Sequence, residues 1–404
     1  MITTTHITAW LVFFLAIVCS PLPCFSQFKV LDHSINLGGA VEDADISPDG
    51  EYIAAAVRKC GIPGRSETCI LDIEVWSSAD ATQLASRVLL TKVGDFAVAL
   101  RFSADAHTLV ISDGRGKLHL WRMTDLADID SIDLGLTSKD FLDLQERYNQ
   151  EMAQLSKQLG HPIAPRAPRV MQIESSPSSP LIAVVISVGR AEMIRVFDLA
   201  SGRLLHSWSF MDAYRGAEVS WSQDGKRIAI SLPSTRGLKH RERTDPANLV
   251  IYDAPSGQLS AKFEIAGERV VFAGNSLIVS THRMPGTFFR PTLRVYDSRT
   301  GEIIRAISAG ETGVRDPIAI SADGKVLLGF VGHVRKEVIW SDLTTMDVPF
   351  DARIRLWEMP TGKPIFASED LPMIPKRASF RLNATGNWII GFDQGTKLLL
   401  LQLK

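Results

Sequence analysis

One pattern recurs along the chain and limits its fold more than any other feature. A short apolar strand ends in an aromatic residue at Trp76, Trp121, Phe197, Tyr252, Tyr296 and Trp357. A seventh copy ends at Leu401, because Lys397–Leu403 aligns with Lys117–Met123. In four copies a Ser/Thr-Gly turn and a further strand follow: Ser201-Gly202, Ser256-Gly257, Thr300-Gly301 and Thr361-Gly362. Upstream lies a second signature, a strand, a tight Asp-Gly-type turn and an apolar strand. It opens at Asp45, Arg101, Ser220, Ala319 and Phe380, with degenerate copies at Glu174 and Val271. Asp-Gly and Thr-Gly suit hairpin turns that need positive φ.

Each unit therefore reads as four strands, a to d, in an antiparallel meander. The spacing of the aromatic marks supports this. Trp76 to Trp121 is 45 residues, Tyr252 to Tyr296 is 44, and Trp357 to Leu401 is 44. Four-stranded repeats of about 40–45 residues indicate the blades of a β-propeller. The expected fold is all-β: a seven-bladed β-propeller of four-stranded antiparallel blades, over residues 28–404. The other gaps, 76, 55 and 61 residues, place insertions in blades 3, 4 and 6. No room is left for a second folded domain. The last blade lacks its own strand d, so 28–37 (FKVLDHSINL) is expected to supply it and cover an edge that would otherwise pair with other chains.

These features resemble the WD40-repeat family over essentially all of 28–404. The resemblance implies a rigid recognition platform. Phe197-Asp198, Tyr252-Asp253 and Tyr296-Asp297 keep the Asp of the family's Trp-Asp mark, and Trp357-Glu358 keeps the Trp. Asp113 and Asp393 stand eight residues before Trp121 and Leu401, where the family places a structural Asp. The Gly-His mark is missing at its usual spacing, which leaves lactonase-like and TolB-like propellers open.

The first residues read as a targeting signal. Ala9–Val18 is an unbroken apolar run without charge. It is too short to span a bilayer, which takes about 20 residues. Pro21 and Pro23 break a helix, and Cys24 and Ser26 put small residues before Gln27. Residues 1–26 are read as a signal peptide and the protein as exported, periplasmic or secreted. The alternative is membrane anchoring through this segment, including a lipid on Cys19. With Cys19 and Cys24 removed, Cys60 and Cys69 remain, flanking the turn Gly61–Gly64. An oxidising compartment favours a disulfide between them.

In such a meander the a–b and c–d turns lie at one end, and the b–c loops and d-to-a links at the other. The long segments are all of the second kind, and loops on a rigid scaffold carry binding. The largest is the helical insertion 137–168. Phe141, Leu144, Tyr148, Met152, Leu155 and Leu159 follow helical spacing, Ser138 can cap the start and Gly160 the end. Its apolar face either packs on the propeller rim or serves docking or dimerisation. The blade 4 loop carries Arg236, Lys239, His240, Arg241 and Arg243, a solvated loop or a surface for an anionic ligand or acidic partner. The blade 5 loop carries His282, Arg283, Phe288, Phe289 and Arg290, a composition found at interface hot spots. The blade 6 loop, Val331 to Asp351, carries Arg335 and Trp340 among others, without calcium-loop spacing. These residues, with Tyr148, form the expected partner surface.

Charge excludes some classes. With 44 basic and 45 acidic residues the net charge is −1, so no global field favours nucleic acid. No nucleophile elbow, zinc-protease, P-loop, haem or dinucleotide motif is present, so no cofactor and no metal is expected. The expected function is a non-catalytic scaffold for a protein or peptide partner on the b–c and d-to-a face. The alternatives are a hydrolase or lactonase with its site at the central channel, and a structural or sensor-associated envelope module that self-associates through the inserted helix.

Overall fold

The computed structural model describes residues 33–61, 69–90, 98–114, 116–162, 167–189, 191–210, 217–232, 248–265, 269–281, 292–307, 314–331, 334–339, 344–349, 353–359, 361–367, 379–392 and 395–402. They form seven four-stranded antiparallel sheets, the blades of a propeller. Blade 1 runs a to d as Ala40–Ile46, Tyr52–Cys60, Cys69–Ser77 and Gln83–Leu90. Blade 2 follows as Ala99–Phe102, Thr108–Ser112, Lys117–Arg122 and Asp128–Asp133, and blade 3 as Arg169–Ser175, Leu181–Val188, Ala191–Asp198 and Leu204–Phe210. Blade 4 is Glu218–Trp221, Arg227–Leu232, Asn248–Asp253 and Leu259–Glu264; blade 5 is Arg269–Ala273, Ser276–Thr281, Thr292–Asp297 and Ile303–Ile307. Blade 6 is Val314–Ile320, Val326–Val331, Arg353–Glu358 and Lys363–Ala367. Blade 7 combines Ser379–Leu382, Trp388–Phe392 and Lys397–Gln402 with a strand from the other end of the described chain, His33–Asn36. His33 sits opposite Leu400 and Asn36 opposite Lys397. The innermost strands touch in cyclic order, blade 7 against blade 1, so the ring is closed.

Strand periodicity explains the core. Alternate side chains point to opposite faces, and every blade has a neighbour on each face. The described residues accordingly bury seven apolar clusters, one between each pair of adjacent blades. Trp121 and Phe197 each fill one of these gaps.

The a–b turns of blades 1, 2, 4 and 6 share one hydrogen-bond design. In Ser47, Ser103, Ser222 and Ser321 the hydroxyl donates to the Asp two residues on, at 2.5–2.6 Å. The same oxygen accepts the amide of Tyr52, Thr108, Arg227 or Val326. Asn383 replaces Ser in blade 7 and accepts from the Trp388 amide at 3.0 Å. The c–d turns place one residue in the left-handed region. Gly202, Gly257, Gly301 and Gly362 hold it in blades 3 to 6, whereas Ala81 (φ 57°) and Leu126 (φ 53°) hold it in blades 1 and 2.

Cys60 and Cys69 face each other at the ends of strands b and c of blade 1 and form a disulfide. Chain-entropy reasoning gives such a short loop roughly 2–3 kcal/mol. Cys60→Ser with Cys69→Ser is therefore expected to lower unfolding stability by that amount in urea titration. An unchanged midpoint would contradict it.

The blade 6 b–c segment differs from its reading as a loop. Val334–Ile339 and Thr344–Pro349 pair as a separate antiparallel hairpin, with Val334 opposite Pro349 and Ile339 opposite Thr344. The β-branched residues Val334, Val338, Ile339, Thr344, Thr345 and Val348 suit a pleated ribbon. Among the described residues no helix is long and apolar enough to cross a membrane.

Candidate functional site

The inserted helix spans Lys139–Leu159, between strand d of blade 2 and strand a of blade 3. Ser138 occupies the N-cap position without capping the helix. Its hydroxyl instead accepts a hydrogen bond from Nη2 of Arg195 at 2.8 Å. Arg195, buried in blade 3, also donates to the Leu134 carbonyl and so clamps the chain entering the helix. Gly160 ends the helix in the left-handed region.

Only the first half of the helix is docked. Phe141 and Leu144 enter the core between blades 2 and 3. Tyr148 is also buried, its ring lying on Gly189 in the b–c turn of blade 3, where an added Cβ would sit 2.1 Å from it. The 3–4 spacing of Phe141, Leu144 and Tyr148 repeats eleven residues on as Met152, Leu155 and Leu159. In this second set Met152 is half-buried, whereas Leu155 is 36% exposed and Leu159 54%. At 1.5 Å per residue, Leu159 stands about 16 Å along the axis from Tyr148.

The other residues expected at this end are placed less fully. Arg236, Lys239, His240, Arg241, Arg243, His282, Arg283, Phe288, Phe289, Arg290 and Trp340 lie outside the described residues. Arg335 lies in the blade 6 hairpin, opposite Val348. The strand order puts the b–c connections of blades 4, 5 and 6 at the same end as the link that carries the helix.

Glu192, missed in the sequence, lies beside the turn on which Tyr148 rests. It is 2% exposed, and burial pushes its carboxyl up to about 7, with Ser187 as an opposing hydrogen-bond donor. The folded state therefore holds the proton more tightly than the unfolded chain. Stability from this group is complete below about pH 4.5 and is lost as pH rises through about 7. Glu192→Gln is expected to match the native protein in urea unfolding at pH 4.5. At pH 8.5 it should exceed it by roughly 3 kcal/mol. Equal stability at pH 8.5 would contradict the assignment.

The channel wall holds a charged cluster built from four blades. Arg101 on strand a of blade 2 donates from Nη1 to Oδ2 of Asp43 at 2.8 Å. Its Nε lies 3.4 Å from Glu174 Oε2 of blade 3. Arg381 of blade 7 approaches Asp43 Oδ1 at 3.8 Å. Asp43 and Asp45 of blade 1 also accept the amides of Leu100 and Phe102, each at 2.9 Å. These amides lie on the inner strand of blade 2, whose edge has no further strand to pair with. Gln172 does the same for Val219, and Ser220 for Phe272. The cluster thus ties blade to blade around the channel. Burial pushes the Asp45 carboxyl up to about 6 against the pull of Arg101 and Arg381. Burial lowers the Arg381 guanidinium, and the like charge of Arg101 adds to this. No group of three or more His, Cys, Asp or Glu among the described residues could hold a metal ion.

No family model matches the chain, and no curated protein matches it at a significant level. The seven-bladed propeller therefore rests on the strand pairing itself.

The sequence marks Asp45, Arg101 and Glu174 only as the start of a repeat signature and gives none of the channel residues a functional role. Asp43, Arg101, Glu174 and Arg381 are separated by 58, 73 and 207 residues and meet only because strands a converge. The available signal was a charged residue in each of these inner strands, where apolar residues would otherwise be expected.

Proposed function

We propose that the chain is an exported, divergent WD40-type propeller that holds a protein partner on the face carrying the b–c loops and the inserted helix. The observation that carries this reading is the half-docked helix. Its first apolar set fixes it to the blades, and Leu155 and Leu159 of its second set stand exposed on the same stripe. Apolar residues aligned on one helix face suit a partner's groove or helix. The disulfide Cys60–Cys69 supports export, since such bonds persist in oxidising compartments. The arrangement of insertions at one end supports that end as the binding face.

Leu155→Asp with Leu159→Asp tests the reading. Both side chains are exposed, so unfolding stability should stay within roughly 0.5 kcal/mol. The dominant partner recovered from the extracytoplasmic fraction should fall at least about tenfold, the equivalent of 1.4 kcal/mol. Unchanged recovery would overturn this face as the site. Sedimentation of the native protein separates a foreign partner from self-association through the helix.

A second reading, hydrolysis at the channel, is favoured by the raised Asp45 carboxyl, because perturbed carboxyls gather at catalytic sites. The first reading is preferred because Asp43, Asp45 and Glu174 already serve Arg101 and the blade 2 amides. A burial-raised carboxyl in an inter-blade tie needs no substrate to explain it.

A further inference from the structure

The opposite end of the propeller, where the a–b and c–d turns lie, has a polar crevice between blades 4 and 5. Its volume is about 350 Å³, and it is lined by Asp224, Arg227, Ser260, Asn275, Ser298 and Arg299. We propose that this crevice binds a single carboxylate, with Arg227 and Arg299 as its cationic partners. The proposal is independent of the helix-bearing face.

Arg227 is held ready for such a ligand. Its guanidinium carbon lies 5.1 Å over the Phe272 ring. Nη1 donates to Ser298 Oγ at 2.9 Å, and Nη2 to Asn275 Oδ1 at 3.3 Å. Two of the five N–H groups of a guanidinium are thereby used, and a planar fork with fixed orientation remains to offer the others. Asn275 reaches Arg227 because blade 5 replaces the longer Ser-x-Asp-Gly turn with the two-residue turn Gly274-Asn275, Ala273 pairing with Ser276.

The fold does not itself require an arginine there. The equivalent position after the a–b turn is Tyr52, Thr108, Val326 and Trp388 in blades 1, 2, 6 and 7. All five residues give the same backbone amide to the turn. Only blade 4 spends the position on a charge. Guanidinium forks match carboxylates in shape and can bind them through two parallel hydrogen bonds.

Charge sets the ligand class. Arg227 and Arg299 contribute two positive charges, and Asp224 one negative. Asp224 Oδ1 is already held by Ser222 at 2.6 Å and the Lys226 amide at 3.1 Å. The net single positive charge suits a monoanion better than a phosphate dianion. Ser260, Ser298 and Asn275 add neutral hydrogen-bonding groups, so the site is rich in donors. The carboxylate belongs either to an acidic side chain or to a peptide C-terminus, which present the same group.

Arginine Nε–Hε NMR of the whole chain tests this, with the Arg227 signal assigned from Arg227→Lys. The probes are N-acetyl-glutamate α-amide, N-acetyl-alanine, N-acetyl-glutamine amide and inorganic phosphate, at matched ionic strength. One or both carboxylates should shift the Arg227 signal saturably, with a Kd on the order of 1 mM for so small a ligand. The tighter of the two identifies the source, and N-acetyl-glutamine amide should leave the signal in place. Arg299 is exposed, so Arg299→Gln should weaken carboxylate binding about threefold or more while the protein stays folded. No saturable shift from either carboxylate would overturn the proposal. So would an equal response to the neutral amide, tighter binding of phosphate, or an Arg299→Gln titration identical to the native one.

Discussion

Arg101→Leu is expected to remove roughly 3–5 kcal/mol of stability at pH 8, the range seen when one partner of a buried ion pair is lost. Arg101 is only 5% exposed and faces Asp43 and Glu174, with Asp45 close enough to feel its charge. Leucine would leave these carboxylates at the channel wall with only the more distant Arg381 as counter-charge. Asp45 is already pushed up to about 6 by burial with Arg101 present. Without it the folded-state value rises further, so the variant gains protons on folding. Stability tied to a raised carboxyl is lost as pH rises through the folded value. The deficit should therefore shrink when urea unfolding is repeated at pH 5. Arg101→Leu combined with Asp43→Asn should recover part of the loss at pH 8. A pH-independent deficit, or no recovery in the double variant, would show that Arg101 acts through packing and not charge.

Gly301→Ala is the second large effect. Gly301 sits at φ 72° in the c–d turn of blade 5, and a Cβ there would lie 2.4 Å from the Phe263 ring of blade 4. Two costs combine: about 1–2 kcal/mol for a left-handed alanine, and about 1–3 kcal/mol for overpacking an interface between blades. The expected loss is roughly 2–5 kcal/mol. Gly38→Ala is the control, since φ is 66° and nothing lies within 4 Å of its Cβ. It should lose only the backbone part, about 1–2 kcal/mol. Equal losses in thermal or urea unfolding would remove the contact with Phe263 from the account.

The blades were legible because each imposes a local rule on the chain. Strand c must fill an inter-blade gap and so ends in Trp121, Phe197 or Trp357. The a–b turn must satisfy its own amides and so repeats Ser-x-Asp in blades 1, 2, 4 and 6. Where the backbone relaxes a rule, the reading misses. Ala81 and Leu126 occupy the left-handed turn position that Gly257 and Gly301 mark elsewhere, so the c–d turns of blades 1 and 2 carry no glycine mark in the sequence. The blade 6 hairpin has no mark in the sequence because its strands lie inside a connection and outside the four-strand repeat. The helix was legible from its 3–4 spacing, but not that its stripe would be divided between docked Tyr148 and exposed Leu155 and Leu159.

Sites were harder to read than blades because they are assembled across them. The channel cluster joins Asp43, Arg101 and Glu174, and the crevice joins Arg227, Asn275 and Ser298. Neither has a short spacing to recognise. Each forms only when strands distant in sequence converge on one axis or one end. A charged residue where the repeat elsewhere carries Tyr, Thr, Val or Trp is the signal that sequence offers, and Arg227 is such a residue.

The most direct test of the scaffold reading is photocrosslinking in the producing cell, with benzoyl-phenylalanine placed singly at Leu155, Leu159 and Ala79. Ala79 is an exposed residue of the blade 1 c–d turn, at the opposite end from the helix. A discrete adduct with a protein partner is expected from Leu155 and Leu159, and none from Ala79. Adducts from Ala79 alone, or none from either helix position, would contradict it.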